Sequence, residues 1–213
     1  MSHAELDSPE PTPGGEAATA AVGRKRPKPG ERRVQILQAL ATMLEQPGAE
    51  RITTAALAAK LDVSEAALYR HFASKAQMFE GLIEFIEQSV FSLINQIGER
   101  EAEGQAQAAR IVGMLIQFAE KNPGMTRVMV GDALVFENDR LQQRMNQFFD
   151  KVEASLRQCL RGATADAATP TVDAQVRASV LTAFIVGRLQ RFARSGFKRA
   201  PSEHLEASLA RML

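Results

Sequence analysis

The chain has no tryptophan, one tyrosine, one cysteine and three histidines in 213 residues. A single thiol, Cys159, excludes an internal disulfide and fits a reducing compartment. The histidines stand far apart, at His3, His71 and His204, so no Cys/His metal spacing forms. HExxH and a phosphate-cradling glycine motif are also missing. An enzyme is therefore not expected, nor is a cofactor or metal. No run reaches the ~18 apolar residues of a membrane span, and the polar start has no apolar stretch of the signal-peptide kind. A soluble, cytoplasmic protein is the expectation. Net charge is +1, so the whole chain does not announce a polyanionic partner, and any basic surface must be local. Strand-type alternation is absent, which leaves an all-α fold.

What is present begins with a change of charge. Residues 1–23 are rich in Pro, Gly, Ala and acids without hydrophobic period, and are expected to be disordered. Arg24, Lys25, Arg26, Lys28, Arg32 and Arg33 then crowd around Pro27, Pro29 and Gly30. Such an arm suits phosphates or a minor groove, and equally a solvated tail. Three regions are read: a tail with a basic arm (1–30), a small helical head (31–76) and a larger helical body (77–213).

The head is read from ITTAALAAKLDVSEAALYRHF, residues 52–72. Thr53 and Ser64 are N-cap residues, each opening a short helix, with Asp62-Val63 as the turn between them. Leu57, Leu61, Val63, Leu68 and Phe72 are the apolar positions. Helices this short need a packing partner, and residues 31–46 supply one through Ile36, Leu37, Leu40, Met43 and Leu44. This is a helix-turn-helix pattern, whose second helix lies in the major groove. Ser64, Glu65, Ala66, Ala67, Tyr69 and Arg70 then fall at or near base edges. Glu65 either accepts from cytosine N4 or serves as a first-turn acid. Thr53 and Tyr69 offer hydroxyls to phosphates. His71 either bonds a phosphate or packs. Lys75 opens the fourth helix, where its charge opposes the helix dipole and a phosphate would compensate.

In the body, the fourth helix buries a stripe from Phe79 to Ile97. Phe85 and Phe91 lie off that stripe on opposite sides. Phe85 is either a partner contact or a packing residue. A stripe along residues 139–161 includes Leu141, Met145, Phe148, Phe149, Val152 and Cys159. Residues 172–194 are apolar on most sides, which suggests a four-helix seam between two subunits, with Phe148, Val152, Val180, Phe184 and Phe192 in it and Gly187 allowing close approach. A homodimer matches a palindromic DNA site. Residues 201–213 read as a short closing helix. Met114, Phe118, Met125, Met129 and Phe136 either pack in the core or line a small-molecule pocket.

The segment ITTAALAAKLDVSEAALYRHFASKAQMF resembles the N-terminal domain of TetR-family regulators, with Tyr69 and Lys75 at the family's aromatic and lysine positions. LIEFIE, EKNPGMTR, ALVFENDRLQQRMNQFF and RFARSGFK extend the likeness into the body, toward the nucleoid-occlusion branch of that family. That resemblance implies a three-helix head on a helical dimerisation body. It implies binding to palindromic sites in double-stranded DNA, an association with the nucleoid, and engagement of the tubulin-like division GTPase FtsZ so as to oppose its polymerisation. It raises Phe85 as a partner residue and adds Lys121 and Asn122, because the FtsZ tail is expected in a groove involving the fourth and fifth helices. The alternative is a small-molecule-responsive TetR-type repressor.

Overall fold

The computed structural model describes residues 30–46, 51–163 and 170–213, and these are helical with no strand among them. Among the described residues nine helices follow in order: α1 (Glu31–Leu44), α2 (Thr54–Lys60), α3 (Glu65–Tyr69), α4 (Lys75–Arg100), α5 (Gly104–Lys121), α6 (Pro123–Met129), α7 (Asp139–Ala163), α8 (Pro170–Arg194) and α9 (Leu205–Met212). A 3-10 turn, Asp132–Leu134, lies between α6 and α7 and was not foreseen. The described residues make an all-α fold: three short helices form a head, α5–α9 a body, and α4 runs through both.

Caps start the head helices where the residue types say they should. The Thr53 hydroxyl accepts from the Ala56 amide at 3.1 Å, Ser64 from Ala67 at 3.3 Å, and Ser74 from Gln77 at 3.2 Å. Asp62 takes φ 54° in the turn between α2 and α3, a left-handed conformation that Asp tolerates better than most. Ile36, Leu40, Leu57, Leu68 and Phe72 close the head's core, and the same apolar cluster continues through Phe79, Leu82 and Ile86 of α4 into the body. Head and body therefore share one core.

Between α5 and α6 the Asn-Pro-Gly sequence makes a tight corner. Pro123 opens α6, where its missing N–H is harmless. Buried Thr126 donates to the Ala119 carbonyl at 2.8 Å, sewing α6 back onto α5. Gly124 lies flat against α1: a Cβ there would sit 1.9 Å from the Ala41 carbonyl oxygen. Body and head backbones meet closely here, and only glycine fits.

Helices α7 and α8 pack as an antiparallel pair. Arg157 donates to Gln175 at 2.6 Å, and Gln175 to Glu153 at 2.9 Å. This register brings the start of α7 level with the end of α8. At that same end α7 is tied to α4 by Arg140–Glu80 and by Arg144–Glu87 at 2.6 Å.

Several expectations need correcting. Phe148 and Val152 are wholly buried inside the protomer, Phe148 edge-on to Phe91 (5.6 Å between ring centres) and Phe149 (5.1 Å). Phe192 is also buried, against Phe197 at 5.1 Å. These three belong to the protomer's own core and present nothing to a second subunit. Phe91, off the stripe by helical angle, still packs inward because α7 crosses α4 there. The last helix starts at Leu205, four residues later than expected, after a turn from Pro201 in which His204 takes φ 54°. Of the basic arm, Arg24, Lys25, Arg26 and Lys28 lie outside the described residues. Arg32 and Arg33 are in α1, where Arg33 stacks 4.1 Å over the Phe72 ring and donates to the His71 carbonyl. Arg33 is a brace within the head and not part of an arm.

Candidate nucleic-acid interface

Helix α3 stands exposed on one side. Ser64, Glu65, Ala66, Tyr69 and Arg70 face solvent, while Ala67 and His71 are half-buried. Leu68 alone in that helix is fully buried and anchors it. The exposed side chains are not independent. Thr54 donates to the Glu65 carboxylate at 2.5 Å, and the Tyr69 hydroxyl stands 3.4 Å from the Thr54 oxygen. This polar cluster locks α2 to α3 at the surface. Glu65 thus already holds a protein donor, which weakens its role as a free acceptor for a base. Tyr69 and Thr53 stay at the edge of the face, where phosphates would lie. Arg70 has no partner among the described residues, so its charge is open to an anion. A face of small side chains bordered by hydroxyls and one free guanidinium suits close approach to a groove.

Lys75 behaves differently from expectation. Its ammonium pairs with the Glu137 carboxylate, from the link before α7, and lies 5.7 Å from the centre of the Phe79 ring. The charge that opposes the α4 dipole is compensated from within the chain, by a residue 62 positions away. A phosphate is not needed for it. Nothing in the local sequence announced Glu137.

The second feature is a groove between α4 and α5. It has a volume of about 380 Å³ and is lined by Leu93, Ile97 and Met114, with Gln96, Gln117, Arg100 and Arg110 at its rim. Arg110 pairs with Glu101 at 3.0 Å. Leu93 is exposed, an apolar floor open to solvent. Gly113 lies in the wall with open space where a Cβ would be. Toward the head, Phe85 stands 47% exposed on α4, two turns from Leu93. Lys121 and Asn122 stand one turn from Gln117 at the same end. Lys121 is exposed, whereas the Asn122 side chain donates to the Phe118 carbonyl at 2.7 Å and closes the end of α5. Asn122 is thus first a cap. The suggested small-molecule pocket does not assemble. Met114 lines the groove, Met129 is buried, Phe118 and Met125 pack on the core, and Phe136 is 67% exposed on the link before α7.

The third feature is a bare apolar strip on α8. Val172, Val176 and Val180 are 59, 56 and 47% exposed. Phe184 and Gly187 continue it, half-buried, and a Cβ at Gly187 would meet nothing within 4 Å. Of the residues expected in a seam, Val180, Phe184 and Gly187 are the ones left on this face.

Comparison with known proteins resolves the family. Residues 36–82 match the model for bacterial regulatory proteins of the tetR family. Residues 104–212 match the SlmA-like model for the tetracyclin repressor-like C-terminal domain. The chain is 51% identical over 177 residues to the nucleoid occlusion factor SlmA of Idiomarina loihiensis, covering 83% of this chain and 90% of that one. It belongs to the SlmA family. The SlmA protein of Vibrio cholerae is likewise 51% identical, over 82% of this chain and 90% of its own. Solved TetR-type structures share the fold at much lower identity. A TetR-family regulator from Bordetella parapertussis superposes with a TM-score of 0.69 at 17% identity, covering 86% of this chain and 95% of that one. The fatty acid degradation regulator FadR from Bacillus halodurans superposes at 0.71 and 12%, covering 89% and 97%. Membership in this DNA-binding family implies DNA binding and dimerisation. No helix among the described residues is long and apolar enough to cross a membrane.

Proposed function

We propose that the chain is a nucleoid-occlusion factor. It binds palindromic sites on chromosomal DNA as a homodimer and, from there, binds FtsZ and antagonises its polymerisation. The observation that carries this reading is the half-identity to SlmA proteins, which spans head and body alike. Each α3 would enter a major groove through Ser64, Glu65, Ala66 and Ala67, with Thr53, Tyr69, Arg70 and His71 toward the phosphates. Lys75 would join them only if a phosphate displaced Glu137. Two protomers would meet through Val180, Phe184 and Gly187.

The α4/α5 groove supports the second half. Its open apolar floor with basic rim residues suits an extended segment with both apolar and acidic side chains, and Phe85 and Lys121 extend it toward the head. A repressor with an enclosed effector site is less well supported, because its candidate lining residues are divided among the groove, the core and an exposed link.

The test uses two variants. Phe85→Ala removes an exposed aromatic, so folding and DNA affinity stay as they are. Loss of a hot-spot aromatic costs about 2 kcal/mol or more, on the order of 30-fold in FtsZ affinity. Ala66→Glu places a carboxylate on the exposed face of α3. It is expected to abolish site-specific DNA binding while leaving the dimer intact. Sedimentation of FtsZ polymers with DNA-loaded protein reads both. If Phe85→Ala antagonises polymerisation as well as the wild type, the groove assignment fails.

A further inference from the structure

From Ala174 to Ser202 the chain has no acidic residue and six cations: Arg177, Arg188, Arg191, Arg194, Lys198 and Arg199. In a protein of net charge +1 this is a strong local excess. Arg177 and Arg188 are engaged: Arg177 donates to the Leu213 carbonyl at 3.3 Å, and Arg188 to the Glu203 carbonyl at 2.8 Å. The other four are exposed and have no side-chain partner among the described residues. The Glu203 carboxylate, on the rim of the same cleft with its side chain 64% exposed, stands 3.8 Å from His204.

The turn that carries Lys198 and Arg199 is built rigidly. Gly196 and Phe197 take φ 63° and 64°, and the latter is a costly conformation for a bulky residue. Phe197 is held there between the Phe192 ring at 5.1 Å and the Arg127 guanidinium at 5.1 Å. Ser195 accepts from the amides of Lys198 at 3.1 Å and Arg199 at 2.9 Å. The result brings Arg199 back beside Arg191 on one cleft.

The position in the fold says what the cluster would meet. The antiparallel register sets the end of α8 level with the start of α7, which Arg140–Glu80 ties to the first turns of α4. Arg127, stacked on Phe197, is in the same short α6 whose Gly124 rests on α1. The cluster therefore lies at the head end of the body. At about 100° per residue, Val172, Val176, Val180, Gly187, Arg191 and Arg194 fall within about 100° of one another on α8. One exposed face is apolar along its first half and cationic at its head end.

We propose that Arg191, Arg194, Lys198 and Arg199 form a second, body-borne contact for DNA phosphates, independent of base sequence. It rests on the reading of the head as a DNA reader and adds to it. In a dimer seamed on the α8 strip, the clusters of both subunits are carried toward the two-fold axis on the DNA side. Their mutual repulsion is relieved by a polyanion between them.

The experiment measures binding of the full-length dimer to a long duplex of random sequence across a salt series. The comparison is wild type against the quadruple variant Arg191→Gln, Arg194→Gln, Lys198→Gln, Arg199→Gln. Loss of one phosphate contact per protomer makes the slope of log affinity against log salt shallower by about 1.8 per dimer. A variant carrying R191K, R194K and R199K keeps the charges and is expected to retain the wild-type slope. Unchanged melting and dimerisation of both variants confirm that folding is intact. The salt series is repeated in the Ala66→Glu background, where the residual slope is expected to disappear with the quadruple change. Equal slopes for wild type and the Gln variant overturn the proposal while leaving the head assignment standing. So does an unchanged duplex slope accompanied by lost binding to an acidic peptide or to anionic vesicles. If the wild type binds no duplex at all, the head reading and this inference both fall.

Discussion

Gly124→Ala tests the joint between head and body. The added Cβ would lie 1.9 Å from the Ala41 oxygen and 2.8 Å from its carbonyl carbon. Relieving the oxygen contact to 3.0 Å requires α1 and α6 to separate by about 1.1 Å. The obstacle is backbone, so no rotamer change removes it. Overpacking of this kind costs about 1–3 kcal/mol, and a rigid obstacle puts this site at the upper end. Alanine's better helix propensity returns up to about 1 kcal/mol. The net loss is about 2 kcal/mol, or about 4–8 °C in melting temperature for a chain of this size. The assay is thermal unfolding at fixed protein concentration, because dimerisation makes the midpoint concentration-dependent. Gly98→Ala in α4 is the control: a Cβ there meets nothing within 4 Å, so its melting point is expected to hold or rise. A Gly124→Ala protein that melts with or above the wild type would refute the reasoning.

Other expectations follow from single residues. Gly187→Ala should stabilise α8 by about 0.5–1 kcal/mol in the protomer but raise the dimer dissociation constant, since a seam on α8 needs close approach; an unchanged or tighter dimer by analytical ultracentrifugation would move the seam elsewhere. Burial pushes the Cys159 thiol above its ordinary value, so alkylation near neutral pH should be slow in the native state and rise sharply in denaturant. Because the folded thiol holds its proton more tightly than the unfolded one, this group's contribution to stability is present at neutral pH and declines as pH rises above 9.0. A melting series above that pH, wild type against Cys159→Ser, measures it.

The head was largely legible in the sequence because its determinants are local. Caps at Thr53, Ser64 and Ser74 act within three residues, and each is made. The apolar positions Leu57, Leu68 and Phe72 have a fixed period and are buried. The exposure of Phe85 was readable for the same reason, since helical angle alone takes it off the buried stripe. Angle alone misjudged Phe91, which is half-buried against Phe148 because a second helix passes on that side. The α7 residues were misplaced through the same gap. An apolar stripe says that a face is covered, not whether the cover comes from the same subunit. Phe148 and Val152 are covered from within.

Lys75 sets the limit of local reading most sharply. A cation at a helix N-terminus is unfavourable, and the sequence offered an external phosphate as the remedy. Glu137, brought in by the link before α7, meets the need instead. That pair makes the first residue of α4 a junction between head and body. Gly124 forms a second junction on the opposite partner, α1. Two ties from the body thus grip the head at α1 and at the start of α4, and α4 continues directly into the wall of the α4/α5 groove. A displacement of α1 or α4 would load one of these ties. The groove is built on the same helix, so head and groove share α4.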